Sequence, residues 1–195
     1  MKEKIKNLTK EKIFNYCIKD FAKNGYSNVG IRKISKETGL STGAIYYNFS
    51  SKEKIAWFLY DSATELVLNK IKTAIKKSTN GIEAIKSIIS VLFQLTEENL
   101  HLMEYVLYVK HKDFLPGVPP ICSSKPFEYI KRFIKTKIKE GVFEDMDMVI
   151  ASSLIMGPII RVIQLKMDGI LKEDLNKYTE PLFNGIVKSV YRNQI

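Results

Sequence analysis

Apolar residues recur at intervals of three and four along almost the whole chain, and no sustained strand-type alternation interrupts them. The pattern predicts an all-α fold of about nine helices. Ile13, Phe14, Cys17 and Phe21 form the stripe of a first helix, which Thr9 is placed to cap and Asn24-Gly25 to end. Two short helices follow, anchored by Ile31 and Ile34 and then by Ile45 and Phe49. Ser50 and Glu53, three residues apart, predict a capping box for a long helix running through Ile55, Leu59, Ala63 and Leu66 to about Lys77. Beyond Asn80-Gly81 the stripe continues through Ile82, Ile85, Ile89 and Leu92, and then through Leu100, Met103 and Leu107. Four prolines and a glycine break it over residues 114–126. Helix resumes at Phe127 and stops at Gly141, Asp147 opens another to about Lys166, and Leu175 to Val190 closes the pattern. Pro158 predicts a kink, and Pro181 marks the start of the last long helix with Thr179 as its cap.

The two short helices carry the most informative pattern. Thr38-Gly39-Leu40 joins them, and Gly39 supplies the left-handed residue that ends a helix at little steric cost. Ser41 stands where a side-chain oxygen caps the next helix. With Ile45 and Phe49 turned inward, the other face shows Thr42, Gly43, Ala44, Tyr46 and Tyr47. Small and hydroxylated residues at the start of a helix suit the floor of a major groove, where base edges must be approached closely.

Charge adds weight to that reading. The net charge is +10, and residues 1–50 hold ten Lys/Arg against four Asp/Glu, so more than half of the excess sits in about a quarter of the length. A polyanionic partner is favoured. The leading MKEKIK segment, taken alone, reads equally well as a solvated charge run. Cys17 and Cys122 have neither metal-ligand nor redox spacing, which suits a reducing compartment. The N-terminal lysines precede no apolar segment of signal-peptide type, so a cytoplasmic protein is expected. The most apolar stretch, residues 148–160, is short for a membrane span of ~20 residues and ends at Arg161. It predicts a buried helix and no membrane partner.

Residues 9–57 resemble the N-terminal domain of the TetR family of bacterial transcription regulators. The resemblance rests on GLSTGAIYYNFSSKEK at residues 39–54 and FAKNGY at residues 21–26, with glycine, serine, tyrosine, phenylalanine and lysine in register. It implies a three-helix DNA-binding domain with a helix-turn-helix over 1–50 and a larger helical effector-binding and dimerisation domain over 51–195. It further implies a ligand-responsive regulator, a repressor in the usual case, which binds a palindromic double-stranded DNA operator as a homodimer through its last two helices. A small apolar or amphipathic effector releases it. Two reading heads one helical turn apart, roughly 34–36 Å, match such a palindrome.

Carried over position by position, the resemblance puts Arg32 at a base or backbone contact, where a guanidinium can grip guanine bidentately. Ser41, Thr42, Gly43 and Ala44 fall at the leading turn of the recognition helix. Tyr46 and Tyr47 fall where an aromatic pair meets phosphates and base edges, Asn48 stands where a histidine is frequent, and Lys52 matches a phosphate-binding lysine. Two further departures are Val29-Gly30, where a threonine pair is usual, and Ser35 in place of alanine. Gly30 can cap a helix but offers DNA no hydroxyl.

The remainder is less specific. An effector pocket implied by the resemblance would draw on Phe93, Met103, Tyr105, Tyr108, Phe127, Met156, Ile160 and Gln164, although core packing is the simpler account of each aromatic and methionine. His101, Glu104, Tyr105, Tyr108, His111 and Lys112 share one broad helical face. A metal site built on His101, Glu104 and His111 would need a further ligand and the right tautomers, so a solvent-facing or dimer-rim stripe is expected. No phosphate loop, nucleophile elbow or paired-carboxylate constellation is visible, and no catalytic, cofactor or metal residue is expected. The competing readings are a helical small-molecule or lipid-binding protein without operator binding, and an unrecognised helical enzyme.

Overall fold

The computed structural model describes residues 2–191, with the side chains of residues 7–191. The basic side chains of the MKEKIK segment therefore lie outside the described residues. Nine α-helices and three 3₁₀ turns follow one another among the described residues. The helices are α1 (Lys2–Asn24), α2 (Ile31–Thr38), α3 (Thr42–Asn48), α4 (Lys52–Lys77), α5 (Gly81–Glu98), α6 (Leu100–Tyr108), α7 (Lys125–Lys139), α8 (Met148–Met167) and α9 (Thr179–Val190). The all-α expectation holds. The chain forms two compact units, one of residues 1–64 with 101–121, the other of residues 65–100 with 122–195, so the first boundary falls inside α4.

The first unit closes around the predicted stripe. Ile13, Cys17, Phe21, Ile34, Ile45, Ile55 and Leu59 are all essentially inaccessible to solvent, and α1 packs on both α2 and α3. A buried carboxylate fastens α1 to α2. Asp20 accepts hydrogen bonds from Tyr16 (3.0 Å) and Asn24 (2.6 Å) and pairs with Lys33 at 2.8 Å. Burial opposes its ionisation, but these donors together outweigh burial and hold its pKa below the usual carboxylate value. The segment 101–121 adds an aromatic layer. Phe114 stacks on Tyr26 with ring centroids 4.4 Å apart, and His111 lies edge-on to Tyr105 (4.7 Å) and Tyr60 (5.0 Å).

In the second unit α5 is the central element, with Ile85, Ile88, Ile89, Leu92 and Phe93 buried and with α8 and α9 packed on it. Glu97 ties this arrangement together. Its carboxylate pairs with Lys166 at 2.9 Å and accepts the Leu175 N–H at 2.8 Å.

Several local expectations are corrected. Thr9 lies inside α1 and is buried, because the helix begins at Lys2. Ser51, and not Ser50, caps α4, its Oγ accepting the Lys54 N–H at 3.2 Å; the Ser50–Glu53 pair is one residue out of phase with the first turn. Helix α7 starts at Lys125 with Pro126 in its first turn, two residues before Phe127. Thr179 is the first residue of α9 and does not cap it. Asp147 caps α8 as expected, accepting the Val149 N–H at 2.7 Å.

The apolar stretch at residues 148–160 needs two corrections. Its helix continues past Arg161 to Met167 and, at 20 residues, is long and apolar enough by composition to cross a membrane. It is also buried on one side only. Ala151, Ile155, Met156, Ile159 and Ile163 face the core, while Val149 (69%) and Ile150 (53%) are exposed. The Lys166–Glu97 pair ties the helix end into the bundle.

The buried histidine makes stability depend on acid. Burial drives the His111 pKa from 6.5 down to about 4. Between those values the unfolded chain binds more protons, so stability falls as pH drops through that window and is complete above it. Urea unfolding at pH 7 and pH 5 should show a loss of about 2 kcal/mol, and His111→Phe should remove most of that difference. The depressed Asp20 pKa adds a further loss only below the ordinary carboxylate range.

Candidate nucleic-acid interface

The turn between α2 and α3 is built from residues that bind their own backbone. Gly39 adopts φ +68°, a left-handed conformation that non-glycine residues rarely take. Thr38 Oγ1 donates to the Ile34 carbonyl (2.6 Å), and Ser35 Oγ donates to the Leu40 carbonyl (2.6 Å) across the turn. The serine at position 35 thus has a structural task that alanine would leave undone. Gly30 caps α2 with extended backbone and no side-chain bond, as expected. Ser41 then caps α3, its Oγ accepting the Ala44 N–H at 3.1 Å.

With Ile45 and Phe49 buried, the outer face of α3 is set. Ser41, Thr42, Gly43, Tyr46 and Tyr47 are exposed and Ala44 is half-buried; Tyr47, at 81%, is the most open large hydrophobic side chain among the described residues. A Cβ at Gly43 would meet only Ser41 Oγ, at 3.9 Å, so the protein's own packing does not demand glycine there. The missing side chain matters instead to whatever approaches from outside. Arg32 is exposed on α2, whereas its neighbour Lys33 is held by Asp20.

Two of the expected contact residues are more constrained than a surface reading implies. Asn48 turns back on its helix, Nδ2 donating to the Ala44 carbonyl at 2.8 Å, while its Oδ1 is buried without a partner. Lys52 lies with Nζ 4.0 Å from the centroid of the Tyr26 ring and 3.5 Å from the Ser27 carbonyl oxygen. Burial lowers its pKa. The motif residues FAKNGY thus supply the platform on which Lys52 rests, a role that spacing alone does not reveal because Tyr26 lies in the loop between α1 and α2 while Lys52 opens α4.

The eight expected pocket residues divide between the units. Met103, Tyr105 and Tyr108 belong to the first, and Phe93, Phe127, Met156, Ile160 and Gln164 to the second. Phe93, Met103, Tyr105 and Met156 are buried, and Phe127, Ile160 and Gln164 are partly so. Gln164 accepts a bond from Arg161 at 2.9 Å. Tyr108 lines a cavity of about 410 Å³ in the first unit with Phe21, Tyr26, Glu104 and Phe114. His101 sits 3.3 Å from Glu104. His111 lies apart in its aromatic cage, its Nε2 and the Tyr105 hydroxyl both buried without partners. Among the described residues no group of three or more His, Cys, Asp or Glu is arranged to hold a metal ion.

The cap on α3 can be checked directly. Ser41→Ala should cost about 1 kcal/mol in denaturant unfolding, while Ser41→Asp, which restores an acceptor, should recover most of that loss.

The family model for bacterial regulatory proteins of the tetR family matches residues 18–56. The fatty acid metabolism regulator protein of Bacillus subtilis (strain 168) is 27% identical over 188 residues, covering 89% of this chain and 93% of that protein. A TetR family transcription regulator from Marinobacter aquaeolei VT8 superposes with a TM-score of 0.82 at 17% identity, over 99% of this chain and 100% of that one. The transcriptional regulator FadR from Bacillus subtilis, solved in complex with stearoyl-CoA, gives a TM-score of 0.75 at 22% identity over 93% and 99%. Helix-turn-helix, cap and exposed tyrosines coincide with these matches: residues 18–56 match the DNA-binding domain of the tetR family of bacterial regulatory proteins, and the whole chain shares the fold of TetR-family transcription regulators.

Proposed function

We propose that this protein represses transcription in the cytoplasm by binding a palindromic double-stranded operator as a homodimer, and that a fatty-acyl effector such as an acyl-CoA releases it. The observation that carries operator binding is the outer face of α3. A residue without a side chain, two hydroxyls and two exposed tyrosines stand on one short helix whose inner face is wholly anchored. In this reading residues 1–50 are the reading head and 51–195 the effector and dimerisation domain. Thr42, Gly43 and Ala44 approach base edges, Arg32 grips a base or phosphate, and Tyr46, Tyr47, Ser41, Asn48 and Lys52 secure the backbone.

The exposed apolar face of α8 supports dimerisation through α8 and α9. Val149 and Ile150 would otherwise stand in water, and a twofold contact of α8 and α9 with the same pair in a second copy covers them. The name of the Bacillus relative and the stearoyl-CoA complex of the structural neighbour support an acyl effector. In this reading the candidates to receive it are Phe93, Phe127, Met156, Ile160 and Gln164 of the second unit and Met103, Tyr105 and Tyr108 of the first. Control is a population shift. The effector binds more tightly to the conformation whose two heads do not fit the operator spacing, and α4, which carries residues of both units, links effector to head.

Footprinting on DNA flanking the gene should reveal a protected palindrome. On that fragment Tyr47→Ala and Lys52→Ala should each weaken binding roughly tenfold or more, and Lys52→Ala should reduce the salt slope by about one. Unchanged affinity in both variants would refute the assignment.

Stearoyl-CoA should release the wild-type complex in a mobility-shift titration. Equal affinity of the effector for free and DNA-bound protein would sink the control mechanism.

A further inference from the structure

The second unit contains a cavity that neither the reading head nor the expected pocket uses. It encloses about 610 Å³ where the end of α4, the start of α5 and one side of α7 meet. Its wall carries three cations, Lys72, Arg132 and Lys137, and two aromatic rings, Tyr129 and Phe133, but no carboxylate. The groove between α4 and α5 differs, since there Glu83 accompanies Lys70, Lys77 and Lys86.

The three cations are not equivalent. Lys137 donates to Glu140 at 2.6 Å, and its stem lies against α5 so closely that a Cβ at Gly81 would stand 2.9 Å from Cδ. It is a fixed wall with its charge compensated. Lys72 and Arg132 are exposed, and no carboxylate among the described residues pairs with either. Lys72 Nζ lies over the Tyr129 ring, 5.7 Å from its centroid, and Lys137 Nζ over the Phe133 ring at 5.8 Å, so each ring carries an ammonium on one face and leaves the other for stacking.

Uncompensated cations beside aromatic faces recognise a planar base joined to phosphates. The rings stack on the base, the guanidinium binds a phosphate bidentately, and the ammonium adds a compact charge. A carboxylate with an aliphatic tail would satisfy the cations but make no use of the stacking faces, and a metal cation is repelled by the sign of the wall.

We propose that this cavity binds the nucleotide portion of a phosphate-bearing effector, with the base on the Tyr129–Phe133 side and phosphates between Lys72 and Arg132. Its regulatory meaning rests on the acyl-CoA reading above, whereas the binding itself does not.

The test is calorimetric titration of the full-length protein with coenzyme A, ATP, adenosine 3′,5′-bisphosphate and inorganic phosphate. The three nucleotides should bind more tightly than inorganic phosphate. Lys72→Ala and Arg132→Ala should each weaken that binding roughly tenfold, while Lys139→Ala, exposed on the same helix but outside the cavity, should not. Preference for coenzyme A over ATP would identify a coenzyme A headgroup, and equal binding a general nucleotide site; both support the proposal. Nucleotides bound no better than phosphate, or binding unaffected in both cavity variants, would overturn it. If stearoyl-CoA releases the operator equally from wild type and both variants, the cavity's part in effector recognition fails and the acyl effector stands. If coenzyme A binding is lost in the variants while stearoyl-CoA releases nothing, the cavity stands and the acyl effector fails.

Discussion

The reading head depends on one backbone constraint, the left-handed residue at Gly39. A φ of +68° reverses the chain between two helices of eight and seven residues. Most side chains resist that conformation because Cβ crowds the following carbonyl oxygen. Thr38 and Ser35 lock the reversal by donating to backbone carbonyls on either side of it. Once the turn is set, Ile34, Ile45 and Phe49 all point inward, and the polar and small residues of α3 have only the outside left to them. Helices this short are not stable alone. Their orientation comes from the turn and their stability from the packing of α1 against both.

A second tier of contacts holds this unit to its own core. Asp20 is a buried carboxylate with three donors, and replacing any one of them leaves charge or hydrogen-bonding capacity unmet in a poorly solvated place. Tyr26 belongs to the same tier. It stacks on Phe114 and also carries the Lys52 ammonium near its ring, so the packing of residues 101–121 and the position of a proposed phosphate-binding group share one side chain. A lysine held in this way reaches a phosphate with less side-chain entropy to lose than a free one.

The second unit is organised by a helix covered on several sides. Only α5 approaches that condition, and Glu97 near its end collects both an ammonium and a backbone N–H from the α8–α9 region. Helix α8 has similar hydrophobicity but a different fate, since one of its faces stays open in the monomer.

The helical class, the turn, the Ser41 and Asp147 caps, the glycine stops at Gly25 and Gly141, and the inward and outward faces of α3 were all legible in the chain. Each depends on interactions within about four residues, and such interactions leave a periodic or capping signature. Caps that compete with a neighbour of the same chemistry were not legible. Ser50 and Ser51 are adjacent hydroxyls with the same capping chemistry, and the structure gives the cap to Ser51. The same limit hid the open face of α8, because an apolar stripe reads alike whether it meets its own core or a second surface. It also hid the cage around His111, the support of Lys52 by Tyr26 and the placing of Lys72 and Arg132 on the wall of one cavity. Those juxtapositions join residues far apart in the chain, and tertiary packing alone decides which of them become neighbours.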